Sequence, residues 1–397
     1  MSAETKATQT SKSWMDAVKG ALSELLIPLL AIVSAMILGA LLIAFTDDQV
    51  LAAFGEGLGA GLRQAWQTIS LAYGAFFFGA FGDVYRITET LRIATPYIFA
   101  GLAVAIGFQG GLFNIGAEGQ YFIAGLTSVF VGYSITGLPW FIHLPLALLA
   151  GMAGGAVWAG IVGILKAKTG AHEVINTIMM NYISYRLAEF MLDVGGPMAR
   201  PGFRPVSPEV QPTAYLPQFF PNDPRIRFNA GFFLALAAAF VVWWVLYKTT
   251  LGYEIRTVGQ SPNAARYAGI NVSGTIIITM ALSGALAGLA APADILGVIH
   301  FMPNAFSAGY GFDAIALALL GKSHPLGVVL ASLLFGALRA GATNMQGVAK
   351  VPIDITSILQ GLIIVFIAAP AIIRSLYRLR GLEEGEELVL TRGWGQM

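Results

Sequence analysis

Seven consecutive residues, Asn114-Ile-Gly-Ala-Glu118-Gly-Gln120, set a carboxylate and two amides between two apolar runs, Pro96 to Phe113 and Tyr121 to Tyr133. An ionisable group at membrane depth is costly and is by default a functional-site candidate. The glycines beside it permit an irregular backbone, which survives in a bilayer only when buried in protein or facing a water-filled cavity. The chemistry open to this set is hydrogen bonding to a polar solute on a pathway through the membrane. The alternatives for Glu118 are a helix cap, an internal salt bridge or an accident of loop exposure, and a structural role bracing the broken helix stands beside ligand contact.

A second polar set lies between residues 171 and 192, where Glu173, Thr177, Asn181 and Ser184 or Tyr185 step by four and three and so share one helical face. Such a stripe either lines a conduit or makes hydrogen bonds between helices. Asn176 adjoins it and joins Thr177 and Asn181 in the candidate pathway. His300 and Phe301 sit at the outer end of a later span, where a solute would first meet the protein. Asn304 and Asp313 carry the same ambiguity as Glu118 between ligand contact and bracing.

The segment Gly252 to Ile270 differs in kind. Ser261 and Pro262 are helix-start signals and Gly269 is a stop signal. The helix between them is too short to be stable alone. It is either a docking element for a partner or a plain loop helix.

Several chemistries are excluded. The chain has no cysteine, so disulfides, thiolate metal sites and cysteine catalysis are absent. The histidines His143, His172, His300 and His324 are scattered without metal-ligand spacing. Gly321-Lys322-Ser323 imitates the end of a phosphate-binding loop, but Ala316 replaces the first glycine and the flank is an apolar span, not a strand. No nucleotide site, cofactor site or hydrolase motif is expected. A net charge of +1 argues against a nucleic-acid partner.

The elements that must position these groups are membrane helices. Of 397 residues, 56% are hydrophobic and 11% charged, where soluble domains carry about 25% charged residues. The expected fold is all-α and polytopic, embedded in membrane lipid. Spans of about 20 apolar residues fall at roughly 26–45, 95–112, 116–134, 144–166, 171–192, 229–247, 273–294, 303–321, 323–341 and 354–374. The short run Leu71 to Phe81 reads as re-entrant or interfacial; if it spans, the count is eleven. Basic residues in short loops favour cytosolic termini on both sides of a 26–374 transmembrane domain, with tails at 1–25 and 375–397. Arg63, Arg86, Arg92, Arg200, Arg204, Arg225 and Arg227 are assigned to two long outside loops.

Ten spans divide into two inverted five-helix repeats with interrupted helices, repeat one at about 26–192 and repeat two at about 229–374, joined by an outside loop at 193–228. The polar interruption Asn114–Gln120 corresponds to Asn304–Asp313, and Pro145-Leu146 to Pro325-Leu326. Interrupted helices at matching places are a transporter signature with the site at the midplane. Gly151, Gly155 and Ala159, and again Gly284 and Gly288, recur every four residues and predict close helix packing.

Four segments carry a family resemblance: Gly111 to Gln120, His172-Glu-Val-Ile-Asn176-Thr-Ile-Met-Met-Asn181-Tyr, Gly252 to Ile270, and Gly311-Phe-Asp313 to Gly321. The chain resembles the permease subunits of bacterial ABC importers of the branched-chain amino acid, ribose and nucleoside group, closest to the nucleoside or simple-sugar permeases. The resemblance implies alternating-access import of a small polar solute, most readily a nucleoside, in the bacterial inner membrane. It implies a second permease, a cytosolic ABC ATPase that binds the ATP, and an extracytoplasmic substrate-binding protein. It makes 249–272 a cytosolic coupling loop, with Glu254, Arg256, Asn263, Arg266 and Gly269 as its contacts. Sugar or autoinducer import by the same fold remains open. So does an ion-coupled secondary transporter that uses Glu118 as its ion-binding carboxylate.

Overall fold

In lipid each backbone N–H and C=O must be satisfied within the protein, and in this composition helices do so. The computed structural model describes residues 14–377 except 203, 305, 307, 308, 369–371, 374 and 375. The tails expected at 1–25 and 375–397 lie largely outside these residues, and Trp14 already opens the first helix.

The chain begins with α1 (Trp14–Thr46), α2 (Asp48–Glu56) and α3 (Leu58–Phe81). The polar interruption separates α4 (Val84–Gln109) from α5 (Ala117–Ser134), and α6 (Trp140–Thr169) and α7 (Glu173–Leu192) follow. After a long loop come α8 (Gly231–Lys248), the short pair α9 (Thr250–Gln260) and α10 (Pro262–Tyr267), and α11 (Val272–Asp294). The last three are α12 (Tyr310–Leu320), α13 (Pro325–Ala349) and α14 (Ile353–Ala368).

Among the described residues, six helices are long and apolar enough to cross a membrane: α1, α4, α6, α8, α11 with its following turn, and α13. The chain is therefore polytopic, but the ten expected spans are not all of one kind. The expected span 95–112 begins earlier, at Val84, so Arg92 belongs to a helix and not to an outside loop. Asp83 accepts from the backbone N–H of Arg86 and fixes that start. The expected span 303–321 contains an 11-residue helix, α12. At 1.5 Å per residue it covers about 16 Å, roughly half a bilayer core. Leu71–Phe81 is the second half of the continuous 24-residue α3, not a separate short piece.

The chain forms two compact units. The first holds Met1–Tyr73 and Gln346–Met397. In it α1 packs on α14, with Leu359 against Gly39, and the Tyr73 hydroxyl donates to the Met36 carbonyl. The second unit, Gly74–Met345, holds the polar interruption. Its central helix is α4, buried along most of its length between α11, α12 and α8.

The predicted small-residue seam lies between α6 and α11. A Cβ on Gly155 would stand 2.2 Å from the Gly284 carbonyl oxygen, and one on Gly284 equally close to that of Gly155. Only glycine permits this approach. Pro292 lies inside α11, and the helix loosens into a π turn over Ile295–Ile299. There the Asn229 side-chain amide donates to the Gly297 carbonyl at 3.2 Å.

Candidate functional site

The interruption between α4 and α5 is a buried polar knot. Gly111 adopts φ +70, which glycine alone takes without strain, and Leu112 N–H returns to the Gly107 carbonyl at 2.9 Å. Asn114 is fully buried. Its Oδ1 accepts from Gly116 N–H at 2.9 Å and from Gln120 Nε2 at 3.0 Å. Its Nδ2 donates to Gln120 Oε1 at 3.1 Å and to Ser283 Oγ at 2.8 Å, and Ser283 Oγ donates to the Ala103 carbonyl. The two amides thus satisfy each other and tie the interruption to α11 and α4.

Glu118 serves the other interrupted helix. It is 3% exposed, and its Oε2 accepts from Gly311 N–H at 2.7 Å. Gly311 is the second residue of α12, so the carboxylate caps that helix across 193 residues of chain. Gly311 packs directly on the α5 backbone: a Cβ there would fall 2.2 Å from the Glu118 nitrogen. The positive ends of α5 and α12 converge here, and one carboxylate lies between them.

The stripe on α7 closes the knot from a third side. Thr177, Asn181 and Ser184 are buried, while Ile175 and Met179 are exposed, as the spacing predicts. Asn181 Oδ1 accepts from Gly119 N–H at 2.8 Å and its Nδ2 donates to the Ile115 carbonyl at 3.0 Å. Thr177 donates back to the Glu173 carbonyl and packs against Gly116. In this conformation the stripe is a helix–helix seam, the second of the two sequence readings. Glu173 pairs with Lys166 at 2.7 Å. Asn176 lies beside the stripe, and its Nδ2 is buried without a hydrogen-bond partner among the described residues.

An ionic network adjoins the knot. Arg92 reaches Glu89 at 2.6 Å and Asp294 at 3.6 Å, and Arg227 reaches Glu89 at 2.9 Å. Tyr121 donates to Asp294 at 3.0 Å. Two residues beyond Gly311, Asp313 accepts from the Tyr97 hydroxyl at 2.7 Å, and Arg339 donates to that same hydroxyl at 2.7 Å. Of these, only Asp313 is in the set read from the sequence. Asp294 and Arg339 lie inside apolar runs, and that signal alone marks them as candidates.

His300, Phe301 and Asn304 are not brought to the knot. They are strapped by the loop before α8. Val210 N–H donates to the His300 carbonyl, Ser207 N–H to that of Met302, and Asn304 N–H to that of Pro205. His300 stacks on Tyr215 with ring centroids 3.7 Å apart, and burial pushes its imidazole below the ordinary pKa, so it is neutral at pH 7.

Gly252 to Ile270 forms two helices where one was expected. Ser261 caps α10 through the Ala264 N–H, and Gly269 ends it at φ +82. Besides packing on α8, α10 and α11, α9 rests on the interruption: a Cβ on Gly259 would stand 2.2 Å from the Gln109 carbonyl oxygen and 2.8 Å from the nitrogen of Gly111. Asn263 and Arg266 are exposed, and Tyr267 is 95% exposed. Glu254 is half-buried, and Arg256 lies over the Tyr247 ring at 5.2 Å.

Similar proteins are consistent with this architecture. The guanosine ABC transporter permease protein NupP of Bacillus subtilis is 39% identical over 357 residues, 89% of this chain and 95% of that protein. The nucleoside ABC transporter permease protein NupB of Lactococcus lactis is 33% identical, covering 88% of this chain and 92% of that protein. A glucose ABC transporter permease protein of Haloferax volcanii is 36% identical, covering 75% and 79%. No solved structure matches. The model of one family, the branched-chain amino acid transport system / permease component, matches residues 86–368, from the start of the buried α4 to the end of α14, and the chain belongs to that family.

Proposed function

We propose that this chain is the membrane-spanning permease subunit of an ATP-driven ABC importer that carries nucleosides into the cell by alternating access. The observation that carries the reading is the near full-length similarity to two permeases named for guanosine and nucleosides. The glucose permease of Haloferax volcanii favours a second reading, sugar import. A nucleoside and a sugar both present vicinal hydroxyls. In this reading the chain pairs with a second permease, a cytosolic ABC ATPase and an extracytoplasmic substrate-binding protein, in a bacterial inner membrane with both termini cytosolic. ATP and its chemistry belong to the ATPase.

The loop of α9 and α10 is the ATPase-docking element in this proposal. Two features support it: the exposed Asn263, Arg266 and Tyr267 offer a contact surface, and Gly259 rests on the α4–α5 interruption. A push on α9 is thereby delivered to the knot that ties α5, α7, α11 and α12 together. Pathway roles are proposed for Asp313, and for Asn114, Gln120, Asn176, Thr177 and Asn181 in conformations that open the seam. Glu118 acts as a brace. The convergence of two interrupted helices at Glu118 and Gly311 also supports the inverted-repeat arrangement.

The experiment is reconstitution of the permease with its ATPase and binding protein in vesicles. ATP-dependent uptake of labelled guanosine, competed by nucleosides and not by glucose, is expected. Uptake competed by glucose alone would replace the substrate. Uptake without any ATPase, sensitive to a protonophore, would replace the importer reading by a secondary transporter.

A further inference from the structure

Asp313 and Arg339 are the charged residues of α12 and α13 that keep solvent access, with 33% and 30% of their side-chain surface exposed. Neither helix carries another charged residue. Charges within a membrane span face a bundle interior or a water-filled cavity, not hydrocarbon. A one-third exposed pair at this depth therefore marks a wet wall, next to the point where α5 and α12 meet.

The pair is organised for recognition. Its nitrogen and oxygen are 3.9 Å apart, too far for a direct hydrogen bond, and the Tyr97 hydroxyl bridges them. The phenol donates its proton to Asp313 and accepts from Arg339. Both contacts of Asp313 fall on Oδ2, which leaves Oδ1 its acceptor capacity. Arg339 is held from another side by the face of Tyr310, with its guanidinium carbon 5.1 Å from the ring centroid. Tyr97 and Tyr310 are themselves packed edge to face at 4.8 Å. A charged acceptor and a planar donor, both fixed by buried aromatic groups, suit a solute with neighbouring hydroxyls. Each hydroxyl can donate to the carboxylate and accept from the guanidinium.

We propose that the Asp313–Arg339 pair, positioned by Tyr97, is a specificity site that reads the vicinal hydroxyls of a nucleoside's ribose during translocation. The assignment rests on the nucleoside reading above and adds the part of the substrate that the permease itself senses. A solute lacking both hydroxyls displaces water from the carboxylate without replacing its hydrogen bonds, which is a basis for rejection.

The test uses the complete transporter in proteoliposomes, with the binding protein and each substrate at saturation so that receptor affinity does not enter. ATP-driven uptake of a ribonucleoside is compared with that of its 2′,3′-dideoxy counterpart. The wild-type ratio is expected to be at least about tenfold, falling below about twofold in Asp313→Asn. Co-purification of the ATPase with Asp313→Asn at the wild-type level reports that the variant is assembled. Tyr97→Phe, which removes only the bridging hydroxyl, is expected to give an intermediate ratio, and it decides the matter on the same readout if Asp313→Asn fails to assemble. Nucleoside uptake with no wild-type preference, or with the preference intact in Asp313→Asn or in both variants, overturns the assignment alone. No wild-type uptake of any nucleoside overturns the substrate reading and this assignment with it.

Discussion

Glu118 shows how one hydrogen bond can decide between mechanisms. A proton-coupling carboxylate and a helix-capping carboxylate are the same residue in a sequence, and the Gly311 N–H at 2.7 Å favours the second. A neutral amide of similar shape keeps an acceptor for that N–H. Glu118→Gln is thus expected to retain part of the uptake. Glu118→Ala should lose stability as well, by about 1–3 kcal/mol, because buried donors are left unpaired. Melting and uptake of the two purified variants check this, and complete loss of transport in Glu118→Gln with normal folding would restore the proton-carrier role. Asn114 is the other residue of this kind. Asn114→Ala removes four hydrogen bonds of the knot at once. It is expected to cost more stability than Asn176→Ala, whose buried Nδ2 has no partner among the described residues.

The informative contacts between elements are made by backbone. At Gly259 an added Cβ would press into the Gln109 carbonyl, which has no side-chain freedom with which to yield. Gly259→Ala is expected to separate α9 from the interruption or to strain it by about 1–3 kcal/mol. ATP hydrolysis should then continue while transport falls, and a variant with normal coupled uptake would remove α9 from the transmission path. Arg266 and Tyr267, on α10, test the exposed part of the same loop. Because both are exposed, Arg266→Glu with Tyr267→Ala should leave the permease inserted but weaken ATPase co-purification. On α7, the buried Thr177 and Asn181 predict slow reaction of cysteines placed there in the resting state, and faster reaction during ATP turnover if the seam opens. Labelling that ignores turnover would leave the stripe as permanent packing.

For the whole molecule, the two compact units divide the work of burial unevenly. The 74–345 unit contains the knot, the ionic network and the glycine seam. Its stability rests on close small-residue packing and internal hydrogen bonds, since the hydrophobic effect does not drive helices together in lipid. Gly155→Leu should therefore disrupt assembly more than Leu149→Ala on the exposed side of α6. Detergent-solubilised yield and thermal aggregation measure the difference.

The sequence by itself determined the helical membrane class and the polar interruption, while the bounds of α3, α4 and α12 departed from its spans. Composition forces a helical membrane protein, glycine pairs at four-residue spacing predict close helix packing, and period 3.6 places Thr177, Asn181 and Ser184 on one face of α7. These are local or periodic properties, and a single chain segment displays them. The pairing of charges was decided elsewhere. Glu118 meets Gly311, Tyr97 joins Asp313 to Arg339, and Gly259 meets Gly111, each across more than a hundred residues. No spacing rule reaches that far. Arg92 and Arg227 look like loop charges in sequence, but both pair with Glu89 once α4 starts at Val84 and the long loop folds beside it. Which polar groups face a solute and which hold helices together depends on what stands opposite each of them, and only the tertiary structure supplies the opposite side.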